Sequence, residues 1–202
     1  MKYKWLYKEN NSRVILFFNG WGMDEAVISH LLHEDYDVVM FYDYNTLECD
    51  FDFSELNNKQ KYLIAWSMGV MCAALFDIKY EKKVAINGTL KPIDDDFGIP
   101  RRIYDLTIKG FNPKGAEKFI QNMFNEPVKN FSVSREFENQ KTELSALKNY
   151  KADINFQYDK VWISDNDKII PTKNQVKFWN QEPNLKSGHA PFNLFSKWSE
   201  LL

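Results

Sequence analysis

The sequence predicts an α/β domain: a mostly parallel, doubly wound sheet with helices on both faces and a small helical cap. Short, nearly continuous apolar runs alternate with segments of helical periodicity, which is typical of strands buried between two layers of helices. The segment from about Pro92 to Asp153 departs from this alternation because it holds helical patterns with no strand between them. A chain of 202 residues suits one domain with a single core.

Five apolar runs are predicted to be the buried strands, and they lie at 13–20, 36–44, 61–67, 82–89 and 159–165. The segment KYKWLYKE near the N-terminus is predicted to be an antiparallel edge strand. Helices are predicted at 24–33, 68–76, 172–180 and 191–202. Thr172 and Pro191 suit the starts of the last two.

The helical patterns of residues 92–153 are interpreted as a cap inserted into the sheet domain, which comprises residues 1–91 and 154–202. Long excursions from a compact sheet are often functional, and a helical insertion after a strand makes a natural lid. We therefore expect one domain whose cap covers a site.

Composition argues against several functions. The formal net charge is −2, so no basic field points to a nucleic-acid partner. Cys49 and Cys72 lack metal-ligand spacing and are expected to be buried, reduced thiols. The charged start MKYKWLYKENNSR is not expected to act as a secretory signal, and the apolar runs are far shorter than the ~20 residues of a membrane span. We expect a soluble, cytoplasmic monomer.

The stretch KYLIAWSMGV, residues 61–70, joins a buried strand to a helix at Ser67. Ala65 and Gly69 are small enough for the tight, strained turn that projects a nucleophilic serine from a sheet. The turn also aims the helix N-terminus at the serine, so that the Met68 amide faces a developing oxyanion. A buried serine that only caps a helix is the alternative.

Among the three histidines, His189 is the candidate general base. It lies in KSGHAPF, a loop between the last predicted strand and the last helix. His30 and His33 share one predicted helix and are interpreted as surface or half-buried residues.

The candidate acid lies in VWISDNDKIIP, which offers Asp165 and Asp167 at the end of a strand. An ionised carboxylate there would hold the tautomer of the histidine and stabilise its imidazolium form. Asp167 is preferred because the chain turns quickly into the next helix after it. Asp165 remains the alternative, and the carboxylate that is not used is expected to cap a turn.

These residues follow one another as serine, aspartate and histidine, which is the chain order of α/β hydrolases and differs from those of chymotrypsin and subtilisin. A further motif, FFNGWGMD at 17–24, places Gly20 and Gly22 around Trp21. The Trp21 amide is predicted to be the second oxyanion donor, beside the Met68 amide. No GxxxxGK[ST] or GxGxxG motif is present, which argues against a phosphate-binding turn.

Five motifs together resemble the BioG-type branch of the pimeloyl-[acyl-carrier protein] methyl ester esterases, small α/β hydrolases of biotin biosynthesis. The motifs are NGWGMD, AWSMGV, AINGT, FGIP and SGHAPF, and the resemblance extends from residue 13 to residue 198. Asn19 stands where many hydrolases have histidine, and Ala65 where they have glycine; both are compatible with this branch.

The resemblance implies hydrolysis of the methyl ester that caps a pimeloyl chain on acyl-carrier protein, without metal or organic cofactor. It implies that Ser67 is the nucleophile, His189 the base and Asp167 the acid, with the Trp21 and Met68 amides as the oxyanion hole. It also implies that Trp21 and Trp66 line the acyl channel. A carrier thioesterase, a generic short-acyl esterase and a non-catalytic hydrolase-like binding protein are the alternatives.

The cap supplies apolar and basic side chains that fit such a substrate. Phe111, Phe119 and Phe124 are expected to line the acyl site together with the two tryptophans. Arg101 and Arg102 are expected to dock the acidic carrier protein, since charges at a rim steer a charged partner. A core role for the aromatic residues and a solvated face for the basic ones are the alternatives.

Overall fold

The computed structural model describes residues 1–125 and 131–202. Within them, six strands form one sheet in the order β1-β3-β2-β4-β5-β6. The strands are β1 Lys2–Tyr7, β2 Arg13–Phe18, β3 Tyr36–Tyr42, β4 Gln60–Trp66, β5 Lys82–Ile86 and β6 Lys160–Trp162. β1 runs antiparallel to β3 and every other pair is parallel. The predicted fold class and the antiparallel edge strand are confirmed.

The central strands are buried on both faces, as their continuous apolar sequences predict. Along β2, Val14, Leu16 and Phe18 belong to the core on one face, and Ile15 and Phe17 to the core on the other. The chain moves from β2 to β3 on one side and then to β4 on the other. Such a change of direction opens a crevice at the carboxyl ends of the strands, where ligands bind in open α/β sheets.

The helices are α1 Met68–Ala73, α2 Arg101–Gly110, α3 Pro113–Phe124, α4 Phe137–Leu147, α5 Thr172–Trp179 and α6 Trp198–Leu201. Single 3-10 turns lie at Glu25–Val27, Phe53–Leu56 and Phe192–Leu194. In the cap, α3 begins with Pro113 in its first turn, and Asn112 accepts a hydrogen bond from the Gly115 amide. Between β5 and β6, α2, α3 and α4 follow one another, and the structure assigns no strand to the residues it describes there.

Two helix predictions are wrong, and one interaction accounts for both. Residues 24–33 form only the 3-10 turn Glu25–Val27, and residues 191–202 are divided into a 3-10 turn and the short α6. The Leu32 amide donates to the Ser196 carbonyl at 2.9 Å, and the Trp198 amide donates to the Leu32 carbonyl at 3.1 Å. The end of the first segment therefore pairs with the middle of the second, and the backbone groups used there are not free for helices.

β2, β3, β5, β6 and α1 are also shorter than predicted, whereas β4 has its predicted seven residues and begins one position earlier. No helix in the described ranges 1–125 and 131–202 has the length and apolar content to cross a membrane.

Candidate active site

Ser67 lies in the turn between β4 and α1, with a backbone φ of 58° and ψ of −124°. The small neighbours that the sequence offers are needed there. A Cβ atom on Gly69 would lie 2.2 Å from the Phe18 carbonyl oxygen, and one on Gly88 would lie 2.4 Å from the Ser67 carbonyl oxygen. The turn is therefore packed directly against the ends of β2 and β5.

His189 is only 1% exposed and lies between the other two candidates. Its Nε2 atom is 2.8 Å from Ser67 Oγ, and its Nδ1 atom is 2.7 Å from Asp167 Oδ2. Its backbone is held as well, because Trp66 Nε1 and Asn87 Nδ2 donate to the His189 carbonyl at 2.8 Å and 2.9 Å. The three candidates form a continuous hydrogen-bonded chain, which is the arrangement that activates a serine for acyl transfer.

Asp167 is oriented by three donors besides the histidine. Its Oδ1 atom accepts the backbone amides of Ile169 and Ile170 at 2.8 Å and 3.0 Å, and Gln175 Nε2 donates to its Oδ2 atom at 2.8 Å. These contacts hold the carboxylate so that Oδ2 faces the imidazole. Gln175, on α5, was not singled out from the sequence.

Asp165 occupies a different environment. It is exposed and accepts a hydrogen bond from the Ser187 amide at 3.2 Å. Of the two carboxylates that the sequence left open, Asp167 contacts His189 in the structure. Asp165 instead binds the loop that precedes His189, through the Ser187 amide.

The oxyanion loop, residues 19–24, lies beside the serine. Gly20 approaches Ser67 so closely that a Cβ atom on it would lie 3.3 Å from the serine Cβ. The amides of Trp21 and Met68 have no hydrogen-bond acceptor in the described part of the chain. Both residues line the cavity that contains Ser67. Two unpaired amides beside a candidate nucleophile are the composition of an oxyanion hole.

Asn19 braces this loop from inside the protein. Its Oδ1 atom accepts the Gly20 amide at 2.8 Å, and its Nδ2 atom donates to the Asp24 carbonyl at 2.9 Å. Tyr44 donates its hydroxyl to the Asn19 carbonyl at 2.8 Å. The sequence indicated only that asparagine is tolerated at this position, whereas its side chain shapes the loop.

A cavity of about 360 Å³ opens above Ser67 beneath the cap. Among the residues predicted to line the acyl site, Trp21, Trp66, Phe111 and Phe119 line this cavity. Phe124, which was also expected to line the acyl site, is not among the lining residues: its ring packs against Phe131 at 4.9 Å between centroids. Phe124 lies at the last position of α3, where it joins the core below the cap.

Other lining residues were not singled out from the sequence. The apolar ones are Ile99, Ile103, Tyr104, Leu106, Met123, Leu144 and Ile169, and the polar ones include Thr107, Lys118, Asn122 and Lys168. Ile103, Leu106 and Thr107 lie three or four positions apart on α2, so their helical periodicity is the signal that could have found them. The cavity combines an apolar interior with two exposed lysines.

The two arginines expected to dock a carrier do not line this cavity. Arg101 is 2.9 Å from Asp94 and 3.2 Å from Asp95, so its charge is largely balanced by its neighbours. Arg102 is exposed.

Cys49 and Cys72 are both free thiols, as expected. Cys72 is fully buried, and burial raises the pKa of its thiol, whereas Cys49 is only partly buried. In residues 1–125 and 131–202, no group of three or more histidine, cysteine or acidic side chains is arranged to hold a metal ion.

The sheet topology, the serine at a strand-to-helix turn and the aspartate and histidine on later loops define an α/β hydrolase. An α/β hydrolase fold protein from Burkholderia ambifaria shares this fold, with a TM-score of 0.59 at 14% identity over 94% of this chain and 88% of that chain. The chain belongs to the BioG family, because the family model for "Pimeloyl-ACP methyl esterase BioG" matches residues 1–201.

Three similar proteins cover most of this chain. The crystal structure of BioG from Haemophilus influenzae has a TM-score of 0.91 at 32% identity, and the match covers 100% of this chain and 99% of that one. An uncharacterized Haemophilus influenzae protein is 32% identical over 210 residues, which is 96% of each chain. A malonyl-[acyl-carrier protein] O-methyltransferase from Bacteroides fragilis is 34% identical over 180 residues, which is 83% of this chain but only 36% of the relative.

Proposed function

We propose that this chain is a serine esterase that hydrolyses pimeloyl-[acyl-carrier protein] methyl ester to pimeloyl-[acyl-carrier protein] and methanol in biotin synthesis. The observation that carries the proposal is the hydrogen-bonded series of Ser67, His189 and Asp167 beneath an apolar cavity in a BioG-family protein. His189 Nε2 is 2.8 Å from Ser67 Oγ, and His189 Nδ1 is 2.7 Å from Asp167 Oδ2.

In the first half of the reaction, His189 Nε2 takes the proton of Ser67 Oγ as that oxygen attacks the ester carbonyl. The Trp21 and Met68 amides stabilise the negative oxygen of the tetrahedral intermediate. When the intermediate collapses, the methoxy oxygen leaves with the proton from His189 as methanol, and the acyl group remains on Ser67 as an ester. Asp167 stabilises the imidazolium form throughout.

In the second half, a water molecule gives a proton to His189 Nε2 and attacks the acyl-enzyme carbonyl. The second tetrahedral intermediate collapses with Ser67 Oγ as the leaving group, which regains its proton from His189. The products are the free carboxylic acid on its carrier and the original enzyme. No step calls for a metal or an organic cofactor.

A carrier-bound methyl ester as substrate is supported by two further observations. The cavity is mainly apolar, which suits a neutral ester and a methylene chain, and Lys118 and Lys168 among its lining residues suit an anionic arm or carrier. A relative of this chain is a malonyl-[acyl-carrier protein] O-methyltransferase, whose name describes methyl transfer to an acyl group on a carrier. We expect the reaction to occur in the cytoplasm, where such carriers are used.

The test is methanol release from pimeloyl-carrier methyl ester by the unchanged chain and by Ser67→Ala. We expect Ser67→Ala to lose at least about 10⁴-fold in kcat, because a triad without its nucleophile keeps only the contribution of binding and the oxyanion hole. Asp165→Asn is the control, since Asp165 is exposed and does not contact His189. Hydrolysis of a p-nitrophenyl ester without methanol release would indicate a generic esterase, and release of free carrier thiol would indicate a thioesterase.

A further inference from the structure

Glu143 of α4 is a fully buried carboxylate that contacts the oxyanion loop from the cap side. Its Oε2 atom accepts the Gly22 amide at 3.1 Å, and its Oε1 atom accepts the Tyr44 amide at 2.8 Å. Arg135 NH1 donates to Oε2 at 2.7 Å. An acid from a helix inserted between β5 and β6 therefore touches the residue that follows Trp21.

The contact between Glu143 and Gly22 is one of several between this part of the chain and the oxyanion loop. A strap formed by residues 134–143 meets the oxyanion loop at two further points. Trp21 Nε1 donates to the Gln140 carbonyl at 2.7 Å. The amide and the hydroxyl of Ser134 donate to Asp24 Oδ2 at 2.6 Å and 2.7 Å. The loop is thus held by the strap on one side and by Asn19 on the other.

These contacts hold two peptide groups, one on each side of the peptide group that carries the Trp21 amide. The Gly20 amide is held by Asn19 and the Gly22 amide by Glu143. The Trp21 amide lies between them, so its direction follows from the orientation of its two neighbours. Gly22 has a φ of 71°, a left-handed conformation that glycine adopts without steric cost.

A buried carboxylate is an unusual acceptor for the backbone amide of a loop, because burial of its charge is costly. Burial raises the pKa of Glu143, since the interior disfavours its charge, while the Arg135 charge and the Tyr44 and Gly22 amides oppose that rise. The Arg135 side chain is itself largely buried and lies 3.3 Å from Asp43, so both partners of this acid cluster are shielded from solvent over most of their surface. A charged acceptor binds an amide more strongly than a neutral one.

We propose that Glu143 is a positioning residue for the oxyanion hole: it holds the Gly22 amide so that the Trp21 amide faces the developing charge at Ser67. This inference rests on the proposed function, because it assigns the Trp21 amide a part in the ester hydrolysis. A purely structural acid would contribute to stability alone, whereas a positioning acid also contributes to binding of the tetrahedral state.

The experiment compares Glu143→Gln with Asp37→Asn. Asp37 is a matched control: it is fully buried, accepts the Glu9 and Asn11 amides at 2.8 Å and 3.2 Å, and pairs with Lys59 at 2.7 Å. It lies near the start of β3, at the end of the sheet opposite to Ser67. Each variant is assayed with p-nitrophenyl butyrate for kcat and KM, and with butylboronic acid, which forms a tetrahedral adduct on a nucleophilic serine.

For Glu143→Gln, we expect kcat to fall about 10- to 100-fold, less than complete loss of an oxyanion donor, with KM changed less than about threefold. The boronic acid should bind more weakly by the same factor as kcat falls. Asp37→Asn should keep all three values within about twofold while its melting temperature falls. This pattern supports positioning, because only the tetrahedral state uses the Trp21 amide.

A folded Glu143→Gln variant with unchanged kcat would overturn the proposal, and so would an equal loss of kcat in Asp37→Asn. If the unchanged chain neither turned over the ester nor bound the boronic acid, the proposed function would fall and this inference with it. If Glu143→Gln does not fold, Glu143→Asp is used, since it keeps the anion beside Arg135 but is one methylene too short to reach both amides.

One measurement needs no variant. In the unchanged chain, amide hydrogen exchange at Gly22 should be at least about tenfold slower than in an open loop, because its hydrogen bond to Glu143 is buried. Exchange of the Gly22 amide at the rate of an unprotected loop would overturn the proposal even if every Glu143 variant failed to fold.

Discussion

At the scale of single residues, Ser67 adopts a backbone conformation that a side chain normally avoids. Its φ of 58° costs roughly 1–3 kcal/mol for a residue other than glycine. The turn is held because the Ser67 amide donates to the Ile86 carbonyl at 3.0 Å and the Val70 amide donates to the Ser67 carbonyl at 3.1 Å. The strained turn directs Oγ away from the sheet and towards His189.

The role of Asp167 can be tested at this scale. We expect Asp167→Asn to lower kcat by about 10⁴-fold, because an amide no longer stabilises the imidazolium and favours the wrong histidine tautomer. KM should change little, since Asp167 does not line the cavity. Steady-state hydrolysis of a p-nitrophenyl ester measures both constants.

Asp165→Asn is the matched substitution, two positions earlier in the same loop. It should keep kcat within about threefold, because Asp165 is exposed and its carboxylate accepts only the Ser187 amide among the described residues. A large loss in Asp165→Asn together with a small one in Asp167→Asn would contradict the assignment of the acid.

The sequence could identify Ser67 and His189 because their signals are local, namely small neighbours at a strand-to-helix turn and a loop before the last helix. It could not separate Asp167 from Asp165, since the difference is burial and the contact with Gln175, which depends on how α5 packs. Glu143 carried no local signal at all, because its partner Gly22 lies 121 positions away in the chain.

At the scale of elements, the difference between local sequence signals and long-range contacts also explains which secondary structures were predicted correctly. The central strands and α2 to α4 are specified by their own periodicity, whereas the segments 24–33 and 191–202 have helical periodicity but pair with each other through Leu32 and Ser196. A pairing between segments so far apart in the chain overrides local propensity, and no single-segment pattern reports it.

The junction between β3 and α4 gives a prediction about acid stability. Burial alone would raise the pKa of Asp43, but hydrogen bonds from Lys2 and Asn45 and the Arg135 charge outweigh it and lower the pKa to about 2. Because this lies below the ordinary value of 3.8, the ionised carboxylate stabilises the folded state above about pH 4. That contribution is lost as the pH falls from about 4 towards 2.

We therefore expect Asp43→Asn to flatten the acid limb of the stability curve, measured by urea unfolding between pH 5 and pH 2. Lys2→Met should flatten it in part, because it removes one of the groups that lower the pKa. Glu143 does not contribute in this window: burial raises its pKa above 4.5, so its effect has the opposite sign and lies at higher pH. An acid limb of unchanged slope in Asp43→Asn would contradict the prediction.

At the scale of the whole molecule, the net charge of −2 provides no general attraction for an acidic carrier protein. Any electrostatic steering must come from local charge, and the exposed Lys118 and Lys168 line the cavity itself. Arg102 is exposed in the first turn of α2, and Arg101 has most of its charge balanced by Asp94 and Asp95. The lysines are therefore better placed than Arg101 to guide an anionic partner.

The relative contribution of the two lysines and the two arginines can be tested by single substitutions to glutamine. Each substitution removes one positive charge, so the net charge changes equally. Lys118→Gln and Lys168→Gln should each raise KM for the carrier-bound ester several-fold, up to about tenfold, leave kcat unchanged, and have no effect on a small free methyl ester. Arg101→Gln should have the smallest effect. Raising the ionic strength should reduce the differences, since salt screens exposed charges.

The pattern across the four variants distinguishes the possible docking surfaces. Equal increases in KM at all four positions would mean that the carrier responds to total charge and not to the cavity rim. Larger increases at Arg101 and Arg102 than at the lysines would place docking at the start of α2, as the sequence alone suggested. Because the small methyl ester needs no carrier, an increase in its KM would instead indicate that the lysine contributes to the acyl site.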